Sequence, residues 1–566
     1  MQKLIALYAL ILSLIILPSC KDAQNPSKET AMEPQFGGNV TVGISSDVDV
    51  LNPLFSQDII SGTINDLIFG ALNYSEFDLE KGELVYLPNL ANSWEISPDN
   101  RSVKYHLNIA LRWSDGYKFT ADDVQFSYYL YTHPEVGSVR QDMTSYFISE
   151  GKTKVEIEKA VKVENDSTVV FNFNQSADDP LFVSGLPILP KHIFEKIKLK
   201  DLFVNDVNQN PVGIGPFKFQ KWDKQQQIIL VRNDSVNYIK IPYLEKLTFK
   251  ILPDYNNRIN QLKSGEIDLA QNLRPEDAQT IKKDFNKLNV EKISGRDYDY
   301  IGWNCIDHEQ FVNSGNKKIT PHKLFGDSKV RQALTYAINR KEMLEGFFGE
   351  FGNIAVTPIS SIFKTKANTD LLPYEFNPNK AKQLLSESGW KDSNDDKIID
   401  KNGIPFKFKL MIPAGKPQRE YAATIIKINL LAVGIEVEIE VVEPSVFFEN
   451  MFTKKYDAWI AGWTIPLDLD FEGFWSSDLE KNFFNVTSYQ NKEVDEIFAK
   501  LKLTNDIEAT RELLFRFQEI LHRDQPTTFL YWVDNLVGYN VRLKNLQLNP
   551  LAFTNRAWEW FVVSEK

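Results

Sequence analysis

Asp468 and Asp470 stand two residues apart in the segment Ala461-Gly462-Trp463-Thr464-Ile465-Pro466-Leu467-Asp468-Leu469-Asp470. In an extended chain, side chains at i and i+2 share a face. The pair therefore offers three chemistries. As general acid and base it would hydrolyse an oligosaccharide or peptide. As anions in a cleft it would capture the cationic end of a ligand. As loop carboxylates it would only meet water. Trp463 and Trp475 flank the pair, and Tyr298, Tyr300 and Trp303 stand where the chain enters the same region. Large flat rings give contact area at small entropic cost, which suits a permissive binding site. Core packing is the alternative for each ring.

The remaining constellations fall short of a catalytic or metal centre. Gly151-Lys152-Thr153 has the tail of a phosphate loop, but residue 146 is Tyr where the motif requires glycine. Gly213-x-Gly215 leads into a strand pattern, so no dinucleotide fingerprint opens there. There is no Gly-x-Ser-x-Gly elbow, and the six histidines are scattered without His-Glu-x-x-His spacing. Cys305-x-x-His308 supplies two soft ligands where zinc takes four, and reads as a buried cysteine beside a surface histidine. Residues 392–400 resemble a calcium loop, but Lys397 replaces its turn glycine and Gly403 its bidentate glutamate. They read as a polar turn. None of these constellations calls for a cofactor or a metal, and the choice between enzyme and binding protein rests on the resemblance described below.

The elements that position these residues follow from periodicity. Val103, Tyr105, Leu107 and Ile109 alternate as a half-buried strand, and Asp115-Gly116 marks a turn. Thr120 caps a helix, with Asp123 completing a capping box. Val124, Ser127, Tyr128 and Tyr131 recur at helical spacing until His133-Pro134 stops the run. Helices are predicted over 64–72, 255–263, 329–340 and 381–387. Strands are predicted over 39–44, around Phe217 and Phe219, around Ile228 and Leu230, and over 267–270, 435–441, 456–463 and 527–532, with strands and turns over 546–560. Helices alternating with strands imply an α/β fold with mostly parallel sheets.

The N-terminus reads as an address. Lys3 precedes an apolar run over 4–17, too short for a permanent membrane span but suited to the h-region of a secretory signal. It ends Leu17-Pro18-Ser19-Cys20, similar to a bacterial lipobox whose cysteine carries lipid. Residues 21–35 are polar and proline-bearing, a tether. The 566 residues suffice for several domains, and 43% apolar and 12% aromatic content provides a large core. A net charge of −12 without a basic block disfavours nucleic acid as a partner. With Cys20 lipidated, Cys305 is left alone and no intrachain disulfide forms.

Residues 87–100, LPNLANSWEISPDN, followed by residues 112–128, RWSDGYKFTADDVQFSY, resemble the signature of family 5 extracellular solute-binding proteins, the peptide receptors of ABC importers. Leu51-Asn52-Pro53, the GLPILPKHIF segment over 185–194, the PVGIGPF turn over 211–217 and the helix over 329–340 match the same family. The resemblance implies a periplasmic-binding-protein-like class II α/β fold, with two hinged lobes and an extra small domain. It implies a first lobe from 36–70, 210–295 and 530–566, a small domain over 71–209, a second lobe over 296–529, and hinges near 295 and 529. It also implies a lipid-anchored monomer in the cell envelope. That protein would trap a small solute, a short peptide foremost, and deliver it to ABC permease and ATPase subunits. A sugar or metal chelate is the alternative cargo. By the same resemblance the strand carrying Gly462, Trp463 and Thr464 would line the cleft, and Tyr298, Tyr300, Trp303, Asp468, Asp470 and Trp475 are expected beside it from their positions. In many peptide-binding members an aspartate three residues beyond the Gly-Trp tryptophan holds the ligand's α-ammonium. Here that position is Pro466, which carries no charge; Asp468 or Asp470 would have to substitute, or the ligand is not a peptide.

Overall fold

The computed structural model describes residues 33–147, 154–177, 179–234, 241–504 and 506–563. Cys20, most of the tether and Gly151-Lys152-Thr153 lie outside these residues. Among the described residues, no helix is long and apolar enough to cross a membrane.

The first strand, β1 (Asn39–Ile44), runs into helix α1 (Ile59–Ile68). The helix starts five residues before the sequence pattern suggests, because Asp58 accepts from the Ser61 N–H at 2.8 Å and fixes its N-terminus. The hairpin β2 (Asn73–Asp78) and β3 (Glu83–Pro88) follows. Next come β4 (Ala91–Ile96), β5 (Ser102–Leu107), helix α2 (Ala121–Thr132), β6 (Val161–Asn165) and β7 (Thr168–Asn172). The capping box holds, with Asp123 Oδ2 accepting from the Thr120 N–H at 3.0 Å. Val124, Ser127, Tyr128 and Tyr131 are buried as their spacing requires. Ile109 lies beyond the end of β5 and is exposed. The small sheet runs β4-β5-β7-β6 and is antiparallel throughout.

The chain continues through β8 (Phe217–Asp223), β9 (Gln227–Arg232), β10 (Lys246–Ile251) and β11 (Leu269–Ala270), then the sixteen-residue β12 (Leu288–Trp303). Short β13 (Asn353–Ile354), β14 (Asp400–Lys401) and β15 (Ile404–Pro405) precede β16 (Lys407–Pro413), β17 (Glu436–Val442) and β18 (Ala458–Thr464). The fourteen-residue β19 (Thr527–Asn540) reaches well past the predicted strand end at 532. Gly213 and Gly215 make room for α1: a Cβ at either would stand 2.0 or 2.5 Å from a carbonyl oxygen of Ile68 or Leu67. A close backbone approach, and no nucleotide, accounts for that Gly-x-Gly.

Among the described residues eleven strands form one sheet, ordered β17-β16-β18-β12-β19-β11-β1-β10-β9-β8, with β13 added beside β19. The expectation of mostly parallel sheets is corrected. β1 pairs in parallel with β10 and β11, and β16 with β17 and β18; every other pairing is antiparallel. The reason is that β12 and β19 do not alternate with crossover helices. They lie side by side, run through both halves of the sheet and hydrogen-bond to each other. One apolar cluster fills one face of the β1 half and the small sheet, a smaller one packs against β11 and β19 in the same half, and two others cover the two faces of the β18 half.

Candidate ligand-binding site

Where the two halves meet, the β12–β19 ladder is interrupted. Ile293 pairs with Asn535 and Asp297 with Val533, so Ser294, Gly295 and Arg296 face Asp534 alone. Such a bulge bends a strand and re-aims its side chains. Asp534 secures it: Oδ1 accepts from the Gly295 N–H at 3.2 Å, and Oδ2 pairs with Lys292 Nζ at 3.0 Å. Burial pushes the Asp534 carboxyl above the usual carboxylate range, against the pull of Lys292.

The bulge opens onto a cavity of about 650 Å³. Gln57, Asp58, Ile59 and Ile60, at the start of α1, form one wall. Arg296, Asp297 and Thr464 form the opposite one, and the segment 549–553 closes an end. Ile59 is 78% exposed, an apolar group presented to the cavity. Arg296 donates one N–H to the Ile465 carbonyl at 2.6 Å. Its other N–H groups have no partner among the described residues, and burial lowers its pKa. Thr464 donates its hydroxyl to Asp297 Oδ1, leaving Oδ2 free. A cation acceptor and a carboxylate clamp therefore stand next to each other on one strand.

The strand carrying Thr464 has an open edge. β18 pairs with β12 along its length but with β16 only at Ala458 and Trp459. Over residues 460–464 no second strand covers it among the described residues. Gly462 sits above a buried ion pair. Arg419 donates through Nε and Nη2 to Asp299 Oδ1 at 3.1 and 2.6 Å, and a Cβ on Gly462 would stand 2.5 Å from that oxygen. Burial alone would lower the Arg419 pKa, but the Asp299 carboxylate holds it raised.

Of the residues singled out from sequence, only Thr464 lines this cavity, with Gly462 and Trp463 on the same strand. Trp463 is half-buried. It stacks on Tyr300 at 6.5 Å and meets Phe474 and Phe484 edge-on at 5.2 and 5.8 Å. Tyr298, Tyr300, Trp303 and Trp475 are core rings. Tyr298 packs against Phe529 and Trp532, and Tyr300 accepts from Trp459 Nε1. Trp475 packs against Tyr489 and Phe529. Trp303 belongs to the opposite face of the sheet, where it touches Phe325 and Phe408 and donates to Thr528 Oγ1 at 3.1 Å. Asp468 and Asp470 are exposed and turn back on their own loop, accepting from the N–H groups of Asp470 and Glu472 at 3.1 and 3.0 Å. Surrounding protein pushes the Asp468 carboxyl up, and the neighbouring Asp470 charge adds to this. They do not line the cavity.

Sequence reasoning missed Arg296, Asp297 and the 57–60 wall. A charged Arg-Asp pair beside Gly295, inside a strand pattern, was the available signal, since glycine in a strand marks a bulge. Cys305 is buried with its Sγ near the Trp303 carbonyl, and burial raises its pKa. In the 392–400 turn, Asp400 accepts from Ser393 and Asp392 from the Lys397 N–H, so both carboxylates brace the turn.

Residues 85–485 match the family model described as bacterial extracellular solute-binding proteins, family 5 middle. The chain is 30% identical over 574 residues to the oligopeptide-binding protein AppA of Bacillus subtilis, covering 99% of this chain and 98% of that one. The crystal structure of that protein with a nonapeptide superposes with a TM-score of 0.70, covering 94% of this chain and all of that chain. NikZ from Campylobacter jejuni in complex with Ni(L-His) is 26% identical with a TM-score of 0.69, covering 92% and 99%.

Proposed function

Because the chain belongs to the family 5 bacterial extracellular solute-binding proteins, we propose that it is the peptide-capturing receptor of an ABC importer. It works outside the cytoplasmic membrane, tethered through lipid on Cys20, as a monomer that leaves its cargo chemically unchanged. The halves of the large sheet are its two lobes, meeting at the bulge opposite Asp534 rather than near residue 529. The observation that carries the reading is the cavity where they meet, with Arg296 and Asp297 turned towards it by a bulge in the strand the lobes share.

In this reading Asp297 Oδ2 takes the α-ammonium that the aspartate at Pro466 would hold in other members. Arg296 binds a carboxylate or carbonyl oxygen, its planar fork suited to two oxygens at once. The open edge of β18 pairs with the ligand backbone by strand addition, which gives affinity without reading side chains. Ile59 covers an apolar side chain from the other lobe. A ligand touching both walls binds the closed arrangement better than the open one, and so shifts the population towards closure.

Titration calorimetry with a peptide series from dipeptide to nonapeptide tests this. Binding is expected, and Asp297→Asn should weaken it about tenfold for free N-termini, a loss of one charge-assisted hydrogen bond. An N-acetylated peptide should not distinguish the two proteins. Failure of every peptide, together with binding of a nickel–histidine chelate, would replace the peptide by a chelate.

A further inference from the structure

A second cavity of about 400 Å³ opens between α1 and the small domain. Gln57, Asp58, Ile59, Leu551 and Ala552 line both it and the cleft, so the two spaces adjoin across a shared wall. Its far side is built from Tyr131 of α2, Ser75 of β2 and the 185–187 turn. A ligand lying in the cleft can send a side chain, or its continuing chain, past Ile59 into this chamber.

Two charged groups face the chamber without engaging each other. Asp66, on the last turn of α1, and Arg140, after α2, both line it. Neither side chain has a hydrogen-bond or ion-pair partner among the described residues. Asp66 is open to the chamber yet surrounded by protein, and burial pushes its carboxyl up to about 7, against the pull of Arg140. A carboxylate that faces a chamber without a partner can accept a charge-assisted hydrogen bond from an arriving cation. Asp58 adds a second carboxylate at the mouth, although its oxygens are engaged with Ser61. Arg140 is the sole cation among the lining residues.

Resting on the peptide reading above, we propose that this chamber is a side-chain subsite that selects a lysine or arginine side chain, with Asp66 as its acceptor. Charge selection would then enter a site that otherwise grips main chain and covers one apolar side chain. Gly62 offers an independent handle. It lines the chamber from α1, and a Cβ built on it would meet no atom within 4 Å. A side chain introduced there starts into open space on the chamber wall.

The test is calorimetry on the full chain with alanine-based pentapeptides carrying one lysine, or one norleucine, at each position in turn. At one position lysine should bind about tenfold tighter than norleucine, the worth of a charge-assisted hydrogen bond. Asp66→Asn should erase that ratio while leaving the all-alanine peptide unaffected. Gly62→Phe should weaken both the lysine and the norleucine peptide at that position only. Binding without any lysine preference, or a preference that survives Asp66→Asn, overturns the subsite and leaves the peptide reading standing. Failure of every pentapeptide to bind overturns the peptide reading and the subsite with it.

Discussion

The ion pair beneath Gly462 gives the sharpest quantitative test. Asp299 and Arg419 keep only 3% and 11% of their side chains exposed, and Asp299 Oδ2 has no hydrogen-bond partner. The pair joins the helix Pro417–Leu431 to β12, directly under the strand proposed to hold the ligand. Arg419→Met removes the cation and leaves a buried carboxylate uncompensated, which costs about 3–5 kcal/mol. At about 2–4 °C per kcal/mol for a unit the size of one lobe, thermal denaturation should shift down by roughly 6–20 °C. Asp299→Leu alone should also be costly, since it strands the guanidinium. The double variant removes both charges and leaves packed apolar groups, so it should recover most of the loss. The assay is a double-mutant cycle by circular dichroism melting, with peptide titration on each protein. If the two single losses simply add in the double variant, the residues are uncoupled and the argument fails. The cycle also separates support from contact, because the double variant should restore affinity together with stability.

Three further outcomes follow from the geometry. Trp463→Ala should lower stability by roughly 2–3 kcal/mol, less than the ~3–5 of a fully buried ring, as the stack on Tyr300 is lost. Trp463→Phe should keep most of that stability; unchanged peptide affinity in it would take the indole out of the site. Asp66 carries its proton up to about pH 7 when folded, against 3.8 unfolded. The unfolded chain therefore loses that proton first, and wild-type stability should fall relative to Asp66→Asn as pH rises from about 4 to 7, then level off. Asp58, Arg140, Tyr74 and Tyr131 are the titratable groups around it, and they are common to both proteins, so the difference between the two isolates Asp66. A melting-temperature difference that stays flat with pH would refute it.

Much of the fold was legible because its signals are local. The capping box at Thr120 and Asp123, the helix Ser328–Ala337 capped by Asp327 and the alternation leading into Glu436–Val442 are each settled by neighbours in sequence. The candidate site was harder for the same reason. Trp303 and Tyr300 look alike as aromatic residues on one strand, but odd spacing sends them to opposite faces, one touching Phe325 and the other Trp463. Asp468 and Asp470 look like a reactive pair, yet their carboxylates meet nearer donors on their own loop. Arg296 and Asp297 attract no notice in sequence, because their position depends on a bulge opposite Asp534, more than two hundred residues away. The mainly antiparallel sheet escaped a rule of alternation, since long-range pairing of β12 with β19 carries no local mark.

That shared pair of strands bears on how tightly such a receptor can hold its cargo. A loose linker would have to be frozen out on every capture, and each ordered residue would subtract about 1–2 kcal/mol from affinity. Here β12 and β19 already form a hydrogen-bonded ribbon, interrupted at the three residues that oppose Asp534 and again between Asp299 and Tyr300. If the proposed lobes close by bending at these interruptions, little new backbone has to be ordered, and less of the contact energy with the guest is spent on ordering the chain.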